Sequence, residues 1–354
     1  MHNVSVITIL KKRHKKVKEC LNSLVNQTLE NIEIICIYKE ENTQIDDFVK
    51  ETQEKHKNIK IIYKTKAQDV LAKNEALEEA DGKYILVMNG NMCLEKTAIE
   101  KMYNAAENNN TDIAICGYNI IDINSNELRV TGLENKFKEK ESLNGVIKTG
   151  LNNKFLEKEN LDGKNLNLAY LNLDAGNKLI KKETIKDIKF QNYDGCQDEI
   201  FVISCYAKAN TVSFINEELF FKYEDNSIQS LKNAVQIKDL KAGLVEGKKI
   251  FKDAGKYERM KNILSFIAFS KIGLRSLIEL SFETGSDLKS LVRETMNYLD
   301  INFFEWRKNP CFKFKNVPNK SYWVAHIAYK YGFQQIFVKI YKKLIEKQIK
   351  PLLF

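Results

Sequence analysis

Val4-Ser5-Val6-Ile7-Thr8-Ile9-Leu10 opens the chain as a β-branched run, and Ile32-Glu33-Ile34-Ile35-Cys36-Ile37, Ile59-Lys60-Ile61-Ile62-Tyr63 and Tyr84-Ile85-Leu86-Val87-Met88 repeat its character. Short, nearly continuous apolar runs of this kind read as buried strands. Between them apolar residues recur at helical spacing: Val17, Leu21, Leu24 and Val25 in the first gap, then over 45–57 and 67–80, and over 96–108 before a strand at 112–116. Alternating strands and helices predict an α/β sheet, mainly parallel, with helices on both faces. Parallel neighbours need a crossover, and the crossover helix covers the sheet. Ligands of open α/β sheets sit beyond the carboxyl ends of the strands, so the loops after Leu10, Ile37, Tyr63 and Met88 are the ones to watch.

Past this core the pattern changes twice. Residues 122–168 are polar, rich in Asn, Lys and Glu and weakly periodic, and read as a variable insertion. Order returns with Asn177-Lys178-Leu179-Ile180, a helix through 200–207 and the strand Val212-Ser213-Phe214-Ile215. From about Leu231 the apolar spacing is helical to the end, including 263–269, 288–299 and 323–349. The expected organisation is an α/β domain over 1–228 and an α-helical module over 229–354, in keeping with a 354-residue chain that exceeds one ordinary core.

Composition bounds the function classes. At 44% hydrophobic and 29% charged the chain is globular rather than disordered. The net charge of +9 arises from 56 basic residues interleaved with 47 acidic ones, a mixed surface that suits a diphosphate ligand or an anionic membrane surface. Nucleic acid is not expected as a partner, because no helix-turn-helix, zinc-finger or stacking signature accompanies the charge. Seven scattered cysteines without a C-x-x-C pair read as reduced thiols. Met1-His2-Asn3 leads straight into a strand, and no apolar run reaches the roughly 18 residues of a membrane span. The expectation is a cytoplasmic protein, either free or peripheral at the inner membrane.

Several segments in order resemble bacterial glycosyltransferases of family 2: Val4 to Ile7, Lys18 to Thr28, Ile32 to Cys36, Ala72-Lys73-Asn74-Glu75-Ala76-Leu77, Gly82-Lys83-Tyr84-Ile85 and Thr111 to Tyr118. Asn177-Lys178-Leu179, Gln197-Asp198-Glu199-Ile200-Phe201 and Ser213 to Glu217 are similar to that family's second half. The resemblance covers about two thirds of the chain. It implies a GT-A, Rossmann-like fold, with 122–168 on the acceptor side, and an inverting transfer from a nucleotide-sugar donor to a glycan or lipid-linked glycan acceptor such as capsular polysaccharide or lipooligosaccharide. It also implies a divalent cation, Mg²⁺ or Mn²⁺, to balance charge on the departing diphosphate, and a carboxylate to deprotonate the acceptor.

The chain departs from that pattern where charge matters most. The family's aspartate-x-aspartate motif is Asn89-Gly90-Asn91 here, and neutral amide oxygens are weak ligands for a hard cation, so no cofactor is assigned. After the second strand the family's paired aspartates are replaced in Tyr38-Lys39-Glu40-Glu41, and the first ligand-facing loop is Lys11-Lys12-Arg13-His14-Lys15-Lys16. By position in the motif, Asp198 is the expected general base, with Glu199 as fallback. The plainer reading of both is an acidic helix N-terminus. Ile9, Lys11, Tyr38, Lys39, Lys73, Asn74, Asn89, Gly90 and Asn91 are the expected donor-binding residues, against a plain reading as strand ends, a solvated loop and an Asn-Gly turn. Lysines in the first two loops could replace the cation by pairing with the diphosphate. The alternative to an enzyme is a catalytically lapsed relative kept as a binding or scaffolding subunit in glycan assembly.

Overall fold

The computed structural model describes residues 1–10, 16–38, 43–63, 69–123, 156–160, 173–193, 195–224, 237–282, 287–314, 317 and 320–347. The chain divides into two compact units. The first holds the described residues up to 160 with 173–192 and 197–224, and the second holds those from 237 onward with Tyr193, Gly195 and Cys196.

In the first unit the apolar runs become β1 (Val4–Leu10), β2 (Ile32–Tyr38), β3 (Ile59–Tyr63) and β4 (Tyr84–Asn89), each joined to the next by a helix: α1 (Val17–Val25), α2 (Thr43–Lys55) and α3 (Asp69–Glu79). β5 (Met92–Leu94), α4 (Ala98–Asn109), β6 (Ile113–Asp122), β7 (Leu156–Asn160), β8 (Lys178–Lys181), α5 (Gln197–Lys208) and β9 (Thr211–Glu224) follow. They form one nine-stranded sheet in the order β3-β2-β1-β4-β8-β6-β9-β5, with β7 against β9. The β3-β2-β1-β4 half is parallel, as is the β6–β9 pair. β8 runs antiparallel to β4 and β6, and β5 and β7 run antiparallel to β9. The α/β alternation thus gives the expected GT-A-like, mixed and mostly parallel sheet.

The pleat assigns the two faces. Successive strand residues point to opposite sides, and Val4, Val6 and Leu10 share one core with Ile32, Ile34, Cys36, Tyr38, Tyr84, Leu86 and Met88. Val17, Cys20, Leu21 and Leu24 of α1, Val49 of α2 and Ile99, Met102 and Ala105 of α4 close that core. The alternate residues Ile7, Ile9, Ile35, Ile85 and Val87 are equally buried and belong to the other face, where α3 sits against β1 and β2. Ile9 pairs in register with both Ile37 and Asn89, so the carboxyl ends of β1, β2 and β4 finish level with one another.

The amino ends of the same strands are tied by a polar knot. Glu33, 1% exposed, accepts from the Ser5 hydroxyl and from the Asp81 backbone N–H at 2.7 Å, while the Gly82 N–H donates to Ser5 Oγ at 2.7 Å. Lys60 lies 3.3 Å from the second oxygen of Glu33. His2 bonds to Asp81 and holds that carboxyl down at about 2.

The second unit is helical: α6 (Ile237–Asp253), α7 (Tyr257–Ala268) running through a π-helical stretch Phe269–Ser276 into α8 (Leu277–Leu280), then α9 (Leu288–Asn302), α10 (Lys320–Lys330) and α11 (Gln334–Glu346). Its core stacks Phe266 on Phe312 at 4.6 Å, and Phe269 meets Trp306 and Tyr329 at 5.4 and 5.1 Å. Tyr329 donates to the Gly273 carbonyl at 2.6 Å, a side chain reaching a carbonyl within the π stretch. His326 shares a 2.8 Å bond with the Trp306 carbonyl. Of the aromatic residues that cluster in the sequence here, Phe303, Trp306, Phe312, Tyr322 and Tyr329 are core, while Phe304, Phe314 and Tyr331 are exposed. No helix among the described residues is long and apolar enough to cross a membrane.

Candidate active site

The site forms where two elements distant in sequence meet the end of β4. Asn89 is the last residue of that strand, and its place in the pleat turns its side chain away from the α1 side of the sheet. α5 starts at Gln197, which sets Asp198 in the first turn, where the exposed N–H groups favour a negative charge. Lys73 comes from the middle of α3 with a 7% exposed side chain and places Nζ 2.6 Å from Asp198 Oδ1. It also donates to Gln197 Oε1 at 3.3 Å. The other oxygen of Asp198 accepts from Asn89 Nδ2 at 3.2 Å.

Phe190 supports this arrangement from below. Asn74 bonds its backbone twice, donating to the carbonyl at 3.1 Å and accepting from the N–H at 2.7 Å, so both ends of the amide are engaged. The Phe190 ring, stacked on Phe201 at 4.1 Å, lies 4.9 Å from Lys73 Nζ. An ammonium over an aromatic face is held by the ring quadrupole. Lys73 is therefore fixed by an aromatic on one side and a carboxylate on the other.

The turn after Asn89 is fastened at each residue. The Gly90 N–H donates to the Ile9 carbonyl at 2.9 Å; Asn91 donates through its side-chain Nδ2 to the Tyr223 carbonyl of β9 at 2.9 Å and accepts the Tyr223 N–H on its own carbonyl at 2.9 Å. Cys20 Sγ reaches the Asn89 carbonyl at 3.6 Å. Lys16, the described member of the basic run, stands 5.1 Å over the Tyr223 ring and 3.0 Å from Glu19, whose hydrogen bond raises its pKa. Burial pushes the thiol of Cys93 up to about 12, and that of Cys20 higher still, so neither is a nucleophile at neutral pH.

Of the residues expected at the site from sequence, the structure thus brings Asp198, Lys73 and Asn89 into direct contact, with Gly90, Asn91 and Ile9 in the adjoining turn and strand end. Asn74 bonds to Phe190 rather than to the cluster. Tyr38, 2% exposed, has its side chain in the core on the α1 face. Glu199 follows in the same turn of α5 and is partly exposed. Lys11 and Lys39 lie outside the described residues. Phe190, Gln197 and Tyr223 were not singled out from sequence. Gln197 adjoins Asp198 and was within reach, whereas nothing local marks Phe190 or Tyr223.

A divalent ion at the Asn89-Gly90-Asn91 turn finds a poor donor set. The amide nitrogens of both asparagines already face oxygen acceptors, and the carboxylate bonded to Asn89 already carries the Lys73 ammonium. A hard cation wants several oxygen ligands, preferably carboxylates, and here it would have to displace or repel a lysine. Among the described residues, the side chains at this turn do not fit the metal that the motif would imply.

Glycosyl transferase family 2 matches residues 5–165. A cholesterol galactosyltransferase of Borreliella burgdorferi is 25% identical over 228 residues, covering 63% of this chain and 60% of that protein. Glycosyltransferase GlyG of Streptococcus pneumoniae serotype 4 is 23% identical over 220 residues, or 61% of this chain and 69% of that one. The first of these matches therefore leaves about two fifths of the relative's own length outside the alignment. Among solved structures, S. aureus TarS 1–349 in complex with UDP-GlcNAc shares the fold with a TM-score of 0.66 at 14% identity, over 96% of this chain and 92% of that one. Residues 5–165 thus carry the likeness to glycosyltransferase family 2, and the sheet of the first unit agrees with the fold shared with TarS.

Proposed function

We propose that the chain transfers a sugar from a nucleotide donor to a surface-glycan acceptor, a capsular polysaccharide or lipooligosaccharide, with inversion and with Asp198 as general base. The observation that carries this reading is the Asp198 carboxylate at the N-terminus of α5, held against Asn89 at the carboxyl end of a central strand, where ligands of such sheets bind. The UDP-GlcNAc bound by the structurally similar TarS supports a nucleotide-sugar donor. The cholesterol in the name of the Borreliella relative supports an acceptor with a lipid part.

In this reaction the acceptor hydroxyl gives its proton to Asp198 as its oxygen attacks the anomeric carbon, and the bond from that carbon to the nucleoside diphosphate breaks. Each carboxylate oxygen of Asp198 has two lone-pair positions. Lys73 and Asn89 take one on each, which fixes the group's plane and leaves a position for the acceptor proton. Lys73 is also a positive charge that the described residues build into the site.

The second reading, a lapsed enzyme retained for binding, is favoured by the same ion pair, since the Lys73 ammonium already engages the carboxylate that would take the acceptor proton. A thermal-shift panel of nucleotide sugars and nucleoside diphosphates, run in EDTA and in Mn²⁺, separates the two. A nucleotide that binds the folded chain raises its melting temperature, by linkage. If none does so under either condition, the transferase reading fails and the scaffolding one stands.

A further inference from the structure

One helix face of the C-terminal unit has no covering neighbour among the described residues. α11 buries Val338, Tyr341 and Ile345, while Phe333, Ile336 and Ile340 point outward at 55%, 55% and 56% exposure. At 3.6 residues per turn, Ile336, Ile340, Lys343 and Lys347 fall along a single line on the helix surface, with Lys339 beside it. Lys339, Lys343 and Lys347 are exposed, as are Lys320 and Val324 on α10 and Lys330 and Tyr331 at the turn between the helices. Lys342 turns inward, donating to the Ser281 carbonyl at 2.6 Å. The outward side of α11 thus carries apolar side chains in its first turns and lysines beside and after them.

We propose that this face docks the protein on an anionic lipid bilayer. Apolar side chains inserted at the depth of the headgroups, with lysine stems laid along them and ammoniums among lipid phosphates, is the arrangement by which a helix lies on a membrane without crossing it. Charge selects this occupant over a second copy of the chain. Residues 320–347 hold six lysines and no arginine against Glu346 alone, so a two-fold pairing of this face would set lysine against lysine. The asymmetry extends to the whole half: residues 229–354 carry 24 Lys and Arg against 11 Asp and Glu, whereas residues 1–228 carry 32 against 36. The protein's positive charge is concentrated in the half that displays the apolar face. This inference stands apart from the transferase reading, because no residue of the candidate site takes part.

The test is co-sedimentation of the full chain with phosphatidylcholine vesicles and with vesicles containing phosphatidylglycerol. Binding is expected to the anionic vesicles and to weaken with added salt. The double variant I336S/I340S and the separate charge variant K339E/K343E are each expected to lower binding by roughly tenfold or more. All these positions are exposed, and an unchanged melting temperature shows that the fold persists. The nucleotide-induced thermal shift is expected to be the same in these variants as in the parent chain, so loss of donor binding and loss of docking read out separately. No binding to anionic vesicles, or binding that both variants retain in full, overturns the proposal. So does a dimer in sedimentation velocity that I336S/I340S dissolves, since the face would then belong to a second copy.

Discussion

Lys73 Nζ lies 2.6 Å from Asp198 Oδ1 across 125 residues of sequence, and Asn89 holds the other oxygen of the same carboxylate at 3.2 Å. Where the family motif would bring a metal-binding carboxylate close to Asp198, this chain brings an amide that donates to it. Two carboxylates at that separation repel unless a cation lies between them. An amide and a buried lysine remove the repulsion from within, so the substitution at position 89 and the ion pair at position 73 are two parts of one electrostatic arrangement.

Asp198→Asn is expected to keep the shape of the cluster and lose the proton acceptor. Transfer should fall by roughly 10²–10⁴-fold while nucleotide binding, read by thermal shift, persists. Lys73→Met is expected to lower stability by about 1–3 kcal/mol, because a three-quarters buried carboxylate loses its counter-charge. A urea titration measures the second effect, and an unchanged midpoint would show that the pair contributes nothing to the fold.

Asn89→Asp restores a carboxylate against Asp198. In EDTA the variant is expected to melt below the parent by the equivalent of about 1–2 kcal/mol, and Mn²⁺ should recover the difference, since an ion can then bridge the two groups. The parent chain should show no such response. If the variant melted alike with and without Mn²⁺, the two side chains would not share a site.

Lys178 gives the fold a pH signature. It is buried, with Nζ donating to the Asp174 carbonyl and to Asn177 Oδ1 at 2.5 and 2.6 Å, and desolvation outweighs the attraction of Asp174 to bring its pKa down from 10.5 to about 7. Between these values the unfolded chain binds more protons than the folded one, so stability rises with pH over that window and falls again as pH drops toward 7. Buried cysteines and tyrosines, raised by burial, act in the opposite sense above about pH 9. Lys178→Met is therefore expected to flatten the increase in unfolding free energy between pH 7 and 8.5. Denaturant midpoints at the two pH values, parent against variant, check it.

Gly82→Ala should destabilise the sheet through the polar knot. A Cβ there would fall inside the contact radii of the Ser5 backbone N, Ser5 Oγ and the Val4 carbonyl carbon, and would push the Gly82 N–H off the hydroxyl that holds Glu33. The expected loss is about 1–3 kcal/mol in chemical denaturation. A variant as stable as the parent would mean that β1 and the 82–83 turn separate freely.

The strands β1 to β4, the three helices between them and the helical second half were legible because they are set by short-range periodicity. An apolar run or a 3.6-residue repeat states which face of an element must be covered wherever the chain goes. The end of β4 was legible as a ligand-facing position for the same reason, and the resemblance to a family placed Asp198. β5, three residues long, fell below the length at which a pattern can be recognised, and the antiparallel insertion of β8 between β4 and β6 is a long-range choice that no window of sequence contains. The sequence showed Asn89, Lys73 and Asp198 only as separate candidates. That one lysine and one amide converge on one carboxylate depends on the middle of α3, the end of β4 and the start of α5 meeting at the same place, and an ion pair exists only at the distance the packed fold sets. Local patterning determined the elements and their buried faces. Only tertiary packing decided which charges compensate each other.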